Sequence, residues 1–82
     1  QEAVKNLAKR ADVMIVIGGK NSSNTKQLYL ISKNFCEDSY LIESEHEVEK
    51  SWFEGKNLCG ISAGASTPDW IIQKVVDAIE KF

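Results

Sequence analysis

The sequence predicts an α/β fold: a small parallel sheet of three strands, order 2-1-3, in a three-layer domain with helices on both faces. Three observations predict it. Apolar β-type runs alternate with stretches of helical spacing along the chain. The run Val13-Met14-Ile15-Val16-Ile17 is apolar at every position, as in a central parallel strand buried on both faces. Two of the runs end in small, hydroxyl-rich loops that open onto helical patterns, the strand-to-helix handover of a doubly wound sheet.

The elements follow in order. Val4, Leu7, Ala8 and Ala11 fall at i, i+3, i+4 and i+7, so residues 2–10 are expected as an amphipathic helix. The strand over 13–17 stops at Gly18-Gly19, and residues 24–34 return to helical spacing through Leu28 and Ile31, with Asn34 as the stop. Tyr40-Leu41-Ile42 reads as a short strand. Ser44-Glu45-His46-Glu47 has the S-x-x-E form of a capping box and is expected to start a brief helix through Val48 and Trp52. Gly55-Lys56-Asn57 is a turn, and Leu58-Cys59-Gly60-Ile61 a third strand weakened by its glycine. Thr67-Pro68-Asp69 predicts a helix start with a hydroxyl cap, proline at the first helical position and an acid in the first turn. Ile72, Val75, Val76 and Ile79 form the buried stripe of that last helix. Right-handed crossovers make the strands parallel. The order 2-1-3 is the common doubly wound solution; it makes the first and third strands neighbours and brings both loops to one crevice.

Composition bounds the function. The 82 residues suit a single domain, 1–82, which buries about 60–65% of its unfolded surface. The net charge of −2 is dispersed among both signs, with no basic stripe, which excludes a nucleic-acid platform. No apolar run reaches membrane-spanning length and no signal peptide is evident, so no membrane is expected as a partner. Cys36 and Cys59 are too few and too far apart for a zinc site or a disulfide framework and read as reduced, inert, intracellular thiols. Gln1 is not an initiator Met and Phe82 falls inside a helical pattern, so an excerpt of a longer protein is expected.

The chemistry lies in the two loops, Gly18-Gly19-Lys20-Asn21-Ser22-Ser23-Asn24-Thr25 and Ser62-Ala63-Gly64-Ala65-Ser66-Thr67-Pro68-Asp69. A phosphorylated ligand needs hydrogen-bond donors, which a helix N-terminus supplies together with a partial positive charge. Glycines let backbone approach the ligand, and Ser22, Ser23, Asn24 and Ser66 add side-chain donors, each worth roughly 1.5–3 kcal/mol to a charged group. The plain alternative is N-capping. A helix needs one cap, whereas Ser22, Ser23, Asn24 and Thr25 supply four candidates, and Ser66 is spare once Thr67 caps the last helix. That surplus points to a ligand. Lys20 either reaches a phosphate or stays in solvent.

Two other motifs fall short. Gly19-Lys20 followed by Ser22 is not a P-loop, because Met14 stands where the earlier glycine belongs and Asn21 interrupts Lys-Ser. Gly60-Ile61-Ser62-Ala63-Gly64 matches the G-x-S-x-G nucleophile elbow, but the lone histidine, His46, reads as a solvated residue of an acidic helix turn. Trp52 and Trp70 read as packing residues.

Gly-Lys-Asn-Ser-Ser-Asn at 19–24, Ala-Gly-Ala-Ser-Thr-Pro-Asp at 63–69, their spacing and the opening Gln1-Glu2-Ala3-Val4 closely resemble the C-terminal third of the LytB/IspH family of 4-hydroxy-3-methylbut-2-enyl diphosphate reductases. The resemblance spans essentially the whole chain. It implies an iron–sulfur oxidoreductase of three similar α/β domains that reductively dehydroxylates its substrate to isopentenyl and dimethylallyl diphosphate, the last step of the methylerythritol phosphate route to isoprenoids. It further implies a 4Fe-4S cluster held by one cysteine per domain, and electrons from ferredoxin or flavodoxin. The location implied is the cytoplasm of a bacterium or the plastid of a eukaryote. By motif, Ser22, Asn24 and Ser66 match positions that hold the substrate diphosphate, with Ser23 in the same motif. Ser62 stands where the family often has Thr, an exchange a nucleophile would not tolerate. The cluster cysteine of this domain is expected just upstream of Gln1, and neither Cys36 nor Cys59 matches it. The acidic proton donor and the histidines around the diphosphate belong to the other two domains. The chain by itself is thus expected to hold no catalytic residue, no cluster and no reductase activity. A non-catalytic phosphate-binding or docking module of the same fold is the alternative.

Overall fold

The computed structural model describes residues 2–82. Gln1, which opens both the resemblance motif and the expected 1–82 domain, lies outside the described residues. The elements are α1 (Glu2–Arg10), β1 (Val13–Ile17), α2 (Ser23–Phe35), β2 (Ser39–Ile42), two 3-10 turns (Glu45–Glu47 and Lys50–Phe53), β3 (Cys59–Ala63) and α3 (Asp69–Glu80). The three strands form one sheet in the order β2-β1-β3, and both pairings are parallel, as expected.

β1 is the centre. Its five side chains are fully buried because strands flank it on both sides and helices cover both faces. Alternation then divides the core. Met14 and Val16 join Val4, Ala8, Leu28 and Cys36 beneath α1 and α2. Val13, Ile15 and Ile17 join Ile42 and Val75 on the other face, with Ile72, Ile79, Val48 and Trp52 packed around them. Gly60 does more than weaken β3: a Cβ there would collide with Met14 Sδ and meet Leu7 Cγ at 2.9 Å, so its absence lets α1 rest on the strand.

Polar groups set the register. Asp12 accepts the N–H groups of Asn57 and Leu58 at 2.9 and 3.1 Å, fastening the starts of β1 and β3. Those two bonds hold its carboxyl below the usual range. The buried Ser39 hydroxyl donates to Cys36 O at 2.6 Å, so Ser32 supplies the proton in the 2.9 Å bond between the two hydroxyls.

The structure corrects four local expectations. β3 starts at Cys59 and runs through Ser62 and Ala63, which pair with Val16 and Ile17, so the second loop begins at Gly64. The brief helix after Ser44 is two 3-10 turns separated by extended Val48 and Glu49. The Glu47 carboxylate does accept the Ser44 N–H at 3.2 Å, but Trp52 stacks on Tyr40 at 4.0 Å with parallel rings and draws the second turn onto the sheet. Thr67 does not cap α3; its hydroxyl donates to Ile17 O at 3.1 Å, leaving Pro68 at the N-cap. Trp70 is 63% exposed with Lys74 beside its ring, so it is no packing residue here.

Candidate functional site

The site lies at the C-terminal ends of the neighbouring strands β1 and β3. From β1 the chain passes into α2 on one face of the sheet, and from β3 into α3 on the other, which makes this the topological switch point. The first loop starts at Gly18, whose N–H donates to Ile42 O, and turns through a 3.0 Å bond from Ser22 N to Gly19 O. The second starts at Gly64, whose N–H donates to Ile17 O at 2.9 Å, and turns through Thr67 N to Gly64 O. Ile17 O therefore receives both Gly64 N–H and the Thr67 hydroxyl, which clasps the second loop to the end of β1.

The loops touch through Asn24. Its Oδ1 accepts the Ala65 N–H at 3.0 Å across 41 residues of chain. Ser22 is the N-cap of α2: its backbone is extended and its Oγ accepts the Thr25 N–H at 3.3 Å. Both roles use the side chain as an acceptor. Ser22 keeps its hydroxyl proton and Asn24 both amide protons, so capping and bridging leave the donors free for an anion. Ser23 is exposed at the first position of α2. Ser66 is exposed on the second loop and lines a cleft of about 230 Å³ with Gly18, Gly19, Glu43, Thr67, Pro68 and Ile71. The structure thus joins Asn24 to the second loop and sets Ser66 against the first, while Ser22 and Ser23 stand at the α2 terminus outside that cleft. Because α3 has no side-chain cap, its leading N–H groups add to the donors there.

Thr25, counted above among the cap candidates, is fully buried, and its Oγ1 lacks a hydrogen-bond partner among the described residues. Lys20 is engaged: its Nζ lies 2.8 Å from Glu47 Oε1 and its N–H donates to Glu43 Oε2 at 3.0 Å. Glu47 raises the Lys20 pKa, and Lys20 lowers that of Glu47. What the two loops offer an anion is therefore a set of neutral donors. Residue-type reasoning missed Glu43, a carboxylate lining the same cleft as Ser66. Its signal was position: it follows β2 directly, as Gly18 follows β1 and Gly64 follows β3. A larger hollow of about 800 Å³ runs along edge strand β2 past Tyr40 and Trp52, but Ser22, Ser23, Asn24 and Ser66 do not line it.

The elbow reading has no support in the geometry. Ser62 is inside β3 opposite Val16, not on a strained turn, and the His46 side chain is 86% exposed beside Glu45. The cysteines do not fit an iron–sulfur cluster. Cys36 is in the core under α1 and α2, Cys59 packs on the opposite face, and burial pushes the Cys59 thiol up to about 11, away from the thiolate a metal needs. Among the described residues no group of three or more potential ligands converges.

Comparison with known proteins decides the family. The family model described as LytB protein matches residues 1–80. The chain belongs to the LytB family. Proteins named 4-hydroxy-3-methylbut-2-enyl diphosphate reductase from Campylobacter concisus and Campylobacter fetus subsp. fetus are 90% identical over 81 residues and 72% identical over 82. Those matches cover 99% and 100% of this chain but 30% and 29% of the relatives, so this LytB-family chain spans about 30% of their length. A solved structure of (E)-4-hydroxy-3-methyl-but-2-enyl diphosphate reductase, described as the terminal enzyme of the non-mevalonate pathway, superposes with a TM-score of 0.98 at 55% identity, covering 100% of this chain and 29% of that one. A reductase structure from Plasmodium falciparum superposes at 0.86 with 28% identity, covering 93% of this chain and 24% of that one. Among the described residues no helix is long and apolar enough to cross a membrane.

Proposed function

We propose that this LytB-family chain is the diphosphate-anchoring domain, the C-terminal third, of a three-domain 4-hydroxy-3-methylbut-2-enyl diphosphate reductase. In the whole enzyme an allylic C–O bond is replaced by C–H at the expense of two electrons and two protons, releasing water and giving isopentenyl and dimethylallyl diphosphate. A 4Fe-4S cluster supplies the electron chemistry, received from ferredoxin or flavodoxin in the bacterial cytoplasm. Its ligands lie outside this chain, because Cys36, buried, and Cys59, half-buried, pack on opposite faces of the sheet. The acid and the cationic groups that balance the diphosphate charge also come from the rest of the protein, since the one lysine in the first loop is paired with Glu47.

This chain's own residues bind and orient. The Ser22 hydroxyl and the Asn24 amide donate from the α2 end, the Ser66 hydroxyl and the leading N–H groups of α3 from the other, and Ser23 stands beside them. The observation that carries this reading is the Asn24–Ala65 bond, which locks the two donor loops together at the switch point. In the full-length enzyme, Ser22→Ala or Ser66→Ala is expected to weaken substrate binding by about 1–3 kcal/mol, a factor of roughly 5–150. Unchanged affinity in both variants refutes the assignment.

A further inference from the structure

Thr25 has no part in the reading above, yet it is the most constrained side chain at the site. It is wholly buried in the first turn of α2, and its Oγ1 has no hydrogen-bond partner among the described residues. That oxygen lies against both Gly18 and Gly64, the residues with which the two loops begin. A Cβ on either glycine would collide with Thr25 Oγ1; on Gly18 it would also meet Thr25 Cγ2 at 2.8 Å, and on Gly64 Thr25 Cβ at 3.4 Å. One side chain thus separates the two loops from within, while Asn24 ties them together above it.

We infer that Thr25 is a positioning residue, whose hydroxyl is the spacer that fixes the separation of the two donor loops and so the distance between Ser22 and Asn24 on one side and Ser66 on the other. This rests on the diphosphate reading. Oxygen is smaller than a methyl group, and in a close-packed site one methyl of extra volume must be taken up by movement of a neighbour. Here the neighbours are the roots of the binding loops. An unpaired hydroxyl is retained because valine, its near-isostere, would spread them.

The test uses the full-length protein, inorganic diphosphate as calorimetric probe and steady-state turnover of the substrate. Thr25→Val is expected to weaken diphosphate binding and raise KM by about 10- to 100-fold, the cost of a misplaced binding group, with kcat changed much less. Thr25→Ser keeps Oγ1 and is expected to hold affinity within about threefold of wild type, a rescue that a purely structural role does not predict. Folded Thr25→Val with wild-type affinity overturns the inference, as does Thr25→Ser weakened as far as Thr25→Val. Should Thr25→Val fail to fold, Thr25→Ala carries the test: removal of the spacer weakens binding about tenfold, and wild-type affinity overturns the proposal. Ser22→Ala and Ser66→Ala, measured alongside, separate the two levels. Wild-type affinity in both overturns the diphosphate reading itself, whereas a loss in either beside an unaffected Thr25→Val removes only the positioning role.

Discussion

Asn24→Asp separates the two jobs assigned to one side chain. Aspartate has the same shape and keeps Oδ1, so the 3.0 Å bond from Ala65 N–H is retained. It also places a negative charge in the first turn of α2, where no acid stands, a change worth about 0.3–1 kcal/mol in favour of folding. What it loses is the amide N–H pair. One hydrogen bond to a charged group is worth about 1.5–3 kcal/mol, so diphosphate affinity falls by roughly 10- to 150-fold before charge repulsion adds to the loss. The assay is a pair of measurements on the full-length protein: thermal unfolding, and calorimetric titration with inorganic diphosphate. Unchanged or raised Tm with affinity at least tenfold weaker is the expected result. Wild-type affinity in Asn24→Asp refutes the reasoning, because it removes the amide from the grip.

Two further perturbations test the electrostatics. Glu43 lines the cleft beside Ser66, so Glu43→Gln is expected to tighten inorganic diphosphate binding, most clearly at low salt; weaker binding would show that the carboxylate supports the loop more than it opposes the anion. The carboxyls of Asp12 and Glu47 titrate below their usual values of 3.8 and 4.5, held down by the N–H groups of Asn57 and Leu58 and by Lys20 respectively. Their contribution to stability is therefore complete above those usual values and is lost as the pH falls through the lowered ones. Asp12→Asn is expected to flatten the acid limb of a Tm-against-pH curve, and an unaltered limb contradicts the role given to Asp12.

What could be read from residues alone was what local chemistry decides. β1 was legible end to end because a strand buried on both faces needs an apolar side chain at all five positions. The ends of β2 and β3 were not, since Ser39, Ser62 and Ala63 carry no strand signal and are placed by pairing with Met14, Val16 and Ile17. The same competition explains Thr67, whose hydroxyl found Ile17 O fifty residues away instead of its own helix. It also explains the segment after Ser44, where the local Glu47–Ser44 bond formed but the Trp52–Tyr40 stack set the path.

For the candidate site, the two loops stood out in the sequence, with the proposed donors Ser22, Asn24 and Ser66 as hydroxyl and amide groups in excess of what two helix ends need. Capping and binding, alternatives in the sequence, are compatible in the fold: Ser22 caps with an oxygen lone pair and keeps its proton. Thr25 and Glu43 were out of reach, because their importance comes from Gly18, Gly64 and Ser66, which only the folded chain brings beside them.

The most direct test of the central claim is a crystal structure of the full-length protein with inorganic diphosphate bound. Phosphate oxygens at hydrogen-bond distance, about 2.5–3.2 Å, from Ser22 Oγ, Asn24 Nδ2 and Ser66 Oγ together are the expected result. Diphosphate held elsewhere, with the Asn24–Ala65 bridge intact and no phosphate between the two loops, contradicts it.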